Sequence, residues 1–283
     1  MLQPPYTKYQ RLYVYHLDGQ ALPEVNDPDL IGTWVEDGTP ILFFHRPKER
    51  LIKEICLRYG CNVIYEADLD YVDWEAGQQI ASYTVEGITI VPEWEEGVAD
   101  IRLDPSVIFG SGFHPSTRLC LETLIKYCRT PEFAPRTMLD LGTGTGLLAI
   151  AAAWLGVESI TAFDNNPLAC RVAEKNIRLN NFEKRITVAE ADLRKSTPDT
   201  RVDLVVANLY HTLLAGLFQK PSFWQAQLYI FAGFIPSMEQ ELLASLPPHR
   251  TQMVERRRMD RWCLWVIKPK TAPGTSDWQA LRP

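Results

Sequence analysis

"LDLGTGTGLLAIAAAWLG", Leu139 to Gly156, joins a short apolar run to a glycine loop and then to a helical stretch. A strand that turns through glycines into a helix leaves the first helical N–H groups unpaired and lets a ligand approach the backbone. The spacing Gly142-Thr-Gly144-Thr-Gly146 is G-x-G-x-G, whereas the dinucleotide form G-x-G-x-x-G needs glycine at 147, where Leu147 stands. Asp140 sits two residues before the first glycine. A carboxylate there repels a pyrophosphate in a partly dry cleft and suits a ligand with a cationic amino group and no phosphate. S-adenosylmethionine is such a ligand, with Asp140, Gly142 and Gly144 on its side of the loop.

Outward from this loop the chain keeps one rhythm. "TMLDLG", "SITAFD", "RITVAEAD", "VDLVVAN" and "AQLYIFAGF" are short apolar runs, each followed by a helical segment. That alternation is what a parallel sheet covered on both faces requires, so the expected fold class is α/β with a Rossmann-like sheet. "RTQMVERRRMD" and "RWCLWVIKP" read as two tightly joined strands, one of them expected to run antiparallel. Such sheets bind ligands beyond the carboxyl ends of their strands. Asp164 closes "SITAFD" where a ribose-binding carboxylate is expected, and Asn166-Pro167 opens the next helix. Asp192 closes the third strand and is placed to meet an adenine amino group.

Upstream, "FGSGFHPSTRLCLETL", Phe109 to Leu124, is a second glycine loop feeding an amphipathic helix. Before it lies a small α+β unit. "RLYVYHLDG" alternates like a strand, "IGTWVEDGTPILFFHR" reads as a hairpin, "KERLIKEICLRYG" as a helix closed by Gly60, and "CNVIYEADLDYVDW" as another strand. The stretch containing "YTVEGITIVPEW" is an extended connector without the Gly/Ser composition of a flexible linker, so the parts are expected to pack. The expected organisation is a substrate-recognition unit at 1–74, a connector at 75–103, a cofactor-binding sheet domain at 104–270 and a tail at 271–283.

Composition narrows the partners. Among 283 residues, 46% are hydrophobic and the net charge is −6, which argues against a general nucleic-acid binder. Six scattered cysteines form no C-x-x-C and no cysteine–histidine cluster, so they read as free thiols and no metal is expected. The N-terminus lacks a positive flank followed by an apolar stretch, and the run Leu147 to Leu155 is too short to span a bilayer. The expected location is the reducing cytoplasm.

Five segments together resemble one family. "VDWEAG", "IVPEW", "LDPSVIFGSGFHPSTRLCLETL", "LDLGTGTGLLAIAAAWLG" and "VVANLY" are similar to the PrmA-type ribosomal protein methyltransferases, which modify large-subunit protein L11. The FG-x-G-x-H-x-x-T loop before the first strand is specific to that family, while "YVYHLDG" and "GTWVEDGTPILFF" are weaker echoes of its N-terminal domain. That domain departs from the pattern, because Gly19 to Gly32 leaves no room for the full first helix of a ferredoxin-like unit. The resemblance implies that Phe109, Gly110, Gly112 and Thr117 close over a cofactor held by the second loop. It also matches Thr117, Gly142, Asp164 and Asn208 to cofactor-contacting positions. Thr117 is open to the alternative of an ordinary helix-start hydroxyl, and His114 reads as a capping or loop-packing residue.

The reaction end is "VVANLYH". Asn208 ends the fourth strand, either as a cap for the helix near His211 or as an acceptor site resembling the N-P-P-Y loop of amino-group methyltransferases. In the second reading the Asn208 side-chain oxygen and the Leu209 carbonyl accept N–H bonds from an amine and aim its lone pair at the methyl group. His211 is weighed as a base against a solvent-facing helix residue, and "VERRRMDR" as an acidic-partner site against a solvated face. The preferred function is N-methylation of a protein amino group, on lysine or an N-terminus, with a ribosomal protein as partner. The same chemistry on another protein or a small amine is the first alternative. A non-catalytic cofactor-binding module and an NAD-dependent oxidoreductase follow, the last disfavoured by Leu147 and Asp140.

Overall fold

The early apolar alternations pair as an antiparallel sheet. β1 (Arg11–Leu17), β2 (Leu30–Glu36), β3 (Thr39–Phe44) and β4 (Val63–Asp70) stand in the order β2-β3-β1-β4, in a computed structural model that describes residues 10–19, 23–36, 39–74 and 79–270. Every neighbouring pair is antiparallel. Between β3 and β4 lies α1 (Glu49–Tyr59), stopped by Gly60, whose left-handed backbone turns its N–H onto the Cys56 carbonyl. Among the described residues this is a ferredoxin-like strand order without its first helix. Residues 23–29 carry no helix, and a groove of about 470 Å³ runs between Val25 and the α1 residues Leu51, Ile55 and Tyr59.

Period-two alternation sorts the two faces of this sheet. Tyr15, Leu17, Leu42 and Phe44 pack on Ile52 and Ile55 of α1. Leu12, Val14, Ile41 and Phe43 point the other way, into a cluster with residues far along the chain. After α2 (Tyr71–Trp74), the connector forms its own three-stranded sheet from β5 (Tyr83–Val85), β6 (Ile88–Pro92) and β7 (Ile101–Leu103).

Next come α3 (Pro115–Cys128), β8 (Thr137–Leu141), α4 (Leu147–Trp154), β9 (Ser159–Asp164), α5 (Pro167–Leu179) and β10 (Ile186–Glu190). They are followed by β11 (Leu204–Asn208), α6 (His211–Phe218), β12 (Leu228–Phe234), α7 (Pro236–Ser245), β13 (Thr251–Met259) and β14 (Trp262–Pro269). The seven strands stand in the order β10-β9-β8-β11-β12-β14-β13. β14 alone runs opposite to the other six strands. Helices α3, α4 and α5 cover one face, while α6 and α7 cover the other. The C-terminal hairpin braces α3: Arg257 reaches Glu122 at 2.7 Å and Thr123 at 2.8 Å, and Glu255 accepts from Lys126 at 2.8 Å.

α5 ties all three sheets together. Its Leu168, Ala169 and Val172 receive the second face of the small sheet, so closely that a Cβ on Gly32 would come within 2.5 Å of Leu168. Further along, Lys175 lies between Glu93 at 2.6 Å and Asp104 at 2.8 Å. Asn176 bonds the N–H and carbonyl of Asp104 and the carbonyl of Thr145, and Asn180 does the same for Arg102. Removing either partner of such a buried charge strands the other, so the tie is a firm one. The expected tail at 271–283 lies outside the described residues, as do 1–9 of the N-terminal unit and 75–78 of the connector.

Candidate functional site

The glycine loop after β8 is held by the neighbouring strand. Gly142 and Thr143 both donate their N–H groups to the Phe163 carbonyl, at 2.8 and 2.9 Å. Gly144 donates to Asp164 Oδ2 at 3.0 Å, and Asn166 donates to Oδ1 at the same distance. Burial pushes the Asp164 carboxyl up, while these N–H groups pull it down. Each oxygen keeps a further lone pair for a hydroxyl donor.

Asp140 is fully buried beneath the loop. Thr143 donates to its Oδ2 at 2.6 Å, while Oδ1 has no hydrogen-bond partner among the described residues. Burial, with the nearby Asp164 charge adding to it, pushes the group up to about 7, against the Thr143 hydroxyl and the Ala149 N–H, which pull it down. A buried acceptor left unmade costs about 1–3 kcal/mol, and a cation or N–H donor arriving there recovers it. The site therefore fits a ligand carrying an ammonium group beside hydroxyls, as S-adenosylmethionine does.

Both glycine loops meet at Thr145. Its N–H donates to the Phe109 carbonyl at 3.2 Å and its hydroxyl to the Gly110 carbonyl at 2.7 Å. The first loop then enters α3 through His114, which is the N-cap and accepts from the Ser116 N–H at 3.3 Å. The His114 ring lies between Phe109 and Trp262, 5.0 and 4.6 Å between centroids. Its pKa is lowered by burial and by Arg261, which suits an uncharged capping ring. With His114 as the cap, Thr117 is released from that duty and is buried inside the helix's first turn.

Thr117 instead meets Asn208. The Asn208 Nδ2 donates to the Thr117 hydroxyl at 3.3 Å, leaving Oδ1 as the open acceptor. Asn208 is not the helix cap, because α6 starts after Tyr210, with no side-chain cap. Leu209 is pinned from both sides. Its N–H donates to Ala232 at 3.1 Å, and its side chain packs over Gly142, where a Cβ would come within 2.4 Å. Its carbonyl lies against Gly233, where a Cβ would come within 2.2 Å. Contacts and chain neighbours together close a ring that runs from Thr117 through Asn208, Leu209, Gly142, Phe163, Asp164, Gly144 and Thr145 to Gly110, Phe109 and back through His114. Phe109 and Tyr210, each about half exposed, stand at its edge.

Asp192 stays outside that ring. Its carboxylate accepts from the Arg194 N–H at 3.0 Å and Nε at 2.9 Å, and Arg194 holds it down to about 2. His211 directs Nε2 at Glu241, 3.7 Å away. Two participants escaped the sequence reading. Thr145 was a spacer inside G-x-G-x-G, and Gly233 was one residue of an apolar run, although glycine within a strand marks a close backbone approach. Among the described residues no group of three or more His, Cys, Asp or Glu is set to hold a metal ion. No described helix is long and apolar enough to cross a membrane.

The chain is similar to known proteins. The family model described as ribosomal protein L11 methyltransferase (PrmA) matches residues 65–270. A ribosomal protein L11 methyltransferase of Carboxydothermus hydrogenoformans is 36% identical over 189 residues, which is 63% of this chain and 60% of that protein. One from Caldicellulosiruptor bescii is 33% identical over 235 residues, covering 79% of this chain and 75% of the relative. The chain thus spans between three fifths and three quarters of these relatives. A crystal structure of a ribosomal protein L11 methylase from Lactobacillus delbrueckii subsp. bulgaricus superimposes with a TM-score of 0.58 at 29% identity, over 68% of this chain and all of that one. With more than half its length matched by the family model, the chain belongs to the ribosomal protein L11 methyltransferase (PrmA) family.

Proposed function

We propose that this protein transfers a methyl group from S-adenosylmethionine to an amino group of a ribosomal protein, an L11-type protein, in the cytoplasm. When bound, S-adenosylmethionine supplies an electrophilic methyl carried on a positively charged sulfur. The observation that carries the reading is the orientation of Asn208: its nitrogen is engaged by Thr117, so its oxygen is presented as an acceptor. Together with the Leu209 carbonyl it offers two acceptors to the N–H groups of an amine. Asp140 receives the cofactor's ammonium group, and Asp164 its ribose hydroxyls.

Positioning supplies most of the rate, because the donor is already activated. The amine must first lose a proton. At pH 7 that costs roughly 4–5 kcal/mol for a lysine and about 1 kcal/mol for an N-terminal amine. His211 faces Glu241, so no step is assigned to it and the proton leaves to water. We assign acceptor choice to residues 1–74, connection to 75–103 and cofactor binding to 104–270. Asp192 is retained as an adenine contact, through a carboxylate lone pair that Arg194 leaves open.

The family match begins at residue 65, after most of the small sheet, which favours one second reading: the same chemistry on a different protein amine. The test is incubation with S-adenosylmethionine and purified ribosomal protein L11, followed by intact-mass analysis. Mass gains in steps of one methyl group, strongly slowed with Asn208→Ala, support the proposal. No gain on L11 but a gain on another protein in a ribosomal extract supports the second reading.

A further inference from the structure

Tyr83 belongs to the connector sheet, yet it is built into the first glycine loop. Its hydroxyl donates to the Ser111 carbonyl at 3.1 Å. The approach depends on Gly112, where a Cβ would fall 1.7 Å from that hydroxyl oxygen and whose φ of +92° disfavours other residues. The ring is gripped on two further sides. Arg118 of α3 stacks its guanidinium 4.2 Å from the ring centroid, and Phe113 meets it edge-on at 5.0 Å. Burial pushes the phenol well up, with Arg118 opposing, so it stays a neutral donor.

The loop that Tyr83 grips is anchored elsewhere too, by the two Thr145 bonds to Phe109 and Gly110 and by the His114 ring against Trp262. It is thus held at its start by the cofactor loop and at its middle by the connector. We propose that Tyr83 is a positioning residue that latches the Phe109–His114 loop closed over the cofactor site, setting cofactor residence time from the connector side. Through the loop it also sets the entry of α3, and so the Thr117 hydroxyl that orients Asn208. The latch rests on the functional reading above only for the identity of what is retained.

The test is Tyr83→Phe, which removes one oxygen and keeps the ring packed. Two quantities are read: hydrogen–deuterium exchange across 109–117 without any ligand, and the dissociation rate of S-adenosylmethionine. Losing one hydrogen bond is expected to speed each by about five- to tenfold. Gly112→Ala, which displaces the phenol from the other side, is expected to move both further in the same direction. A Tyr83→Phe protein with either quantity at the wild-type value overturns the latch, even if its melting temperature falls. Wild-type protein that fails to bind S-adenosylmethionine in calorimetry sinks the functional reading instead, and loop exchange then decides the latch by itself.

Discussion

The small sheet and the large sheet are both covered on two faces, but by different means. The large sheet is wrapped by helices, most of them its own crossover connections, as parallel strands demand. The small antiparallel sheet has α1 on one face and takes α5 of the other unit for the second. Antiparallel sheets commonly leave one face to water. Burying both fixes how this one sits. The large sheet concentrates its chemistry at strand ends, whereas among the described residues the small sheet shows no comparable ring of polar groups. Its contribution lies in where it is held, and α5 decides that.

The largest effect is expected where the two sheets join. Leu168→Ala should lower stability by roughly 2–5 kcal/mol, read from urea unfolding, as for a fully enclosed core leucine. A change near zero would mean that the small sheet merely leans on α5. For the same reason a chain starting near residue 75 exposes Val107, Ile108, Leu168 and Val172, and should stay soluble only with polar replacements there.

Asn208→Ala comes next and belongs to the large sheet alone. It should reduce kcat about a hundredfold while changing the cofactor Kd little, since it places the acceptor amine. Steady-state kinetics beside calorimetry separates the two quantities, and a lost Kd with normal kcat would make Asn208 a cofactor clamp. Asp164→Ala should weaken S-adenosylmethionine by roughly 1.5–3 kcal/mol, through loss of charge-assisted bonds. An unchanged Kd in a folded variant removes Asp164 from the site.

The smallest effect per unit of condition is a pH slope. Folded Asp140 holds its proton up to about 7, against 3.8 for a free aspartate side chain. Between those values the native state binds more protons than the unfolded one, so stability should fall as pH rises, by at most about 1.4 kcal/mol per unit. Asp140→Asn should flatten that slope in melting curves taken from pH 4 to 8. Affinity for the cationic cofactor runs the other way in the wild type, rising as Asp140 ionises.

Much of the large sheet was legible because its signals are local. A strand, a glycine loop and a helix lie within Leu139–Gly156, and Asp164 and Asn208 mark strand ends within a few residues of their own helices. His114 and Thr117 could not be told apart as cap and contact until the helix start was placed. The union of Phe43 with Leu168 left no local trace, since no periodicity links residues so far apart. Tyr83 and Gly233 were hidden likewise: each is ordinary in its own strand and acquires meaning from a carbonyl elsewhere, Ser111 or Leu209.

The reach of α5 across the chain also has a consequence during synthesis. Leu12, Val14, Ile41 and Phe43 are made early, but the Leu168, Ala169 and Val172 that cover them arrive more than a hundred residues later. At roughly 5–20 residues per second, that apolar face waits on the order of ten seconds. The nascent N-terminal unit is therefore a client for whatever shields exposed strands at the ribosome, and its final docking is a late, long-range step in folding.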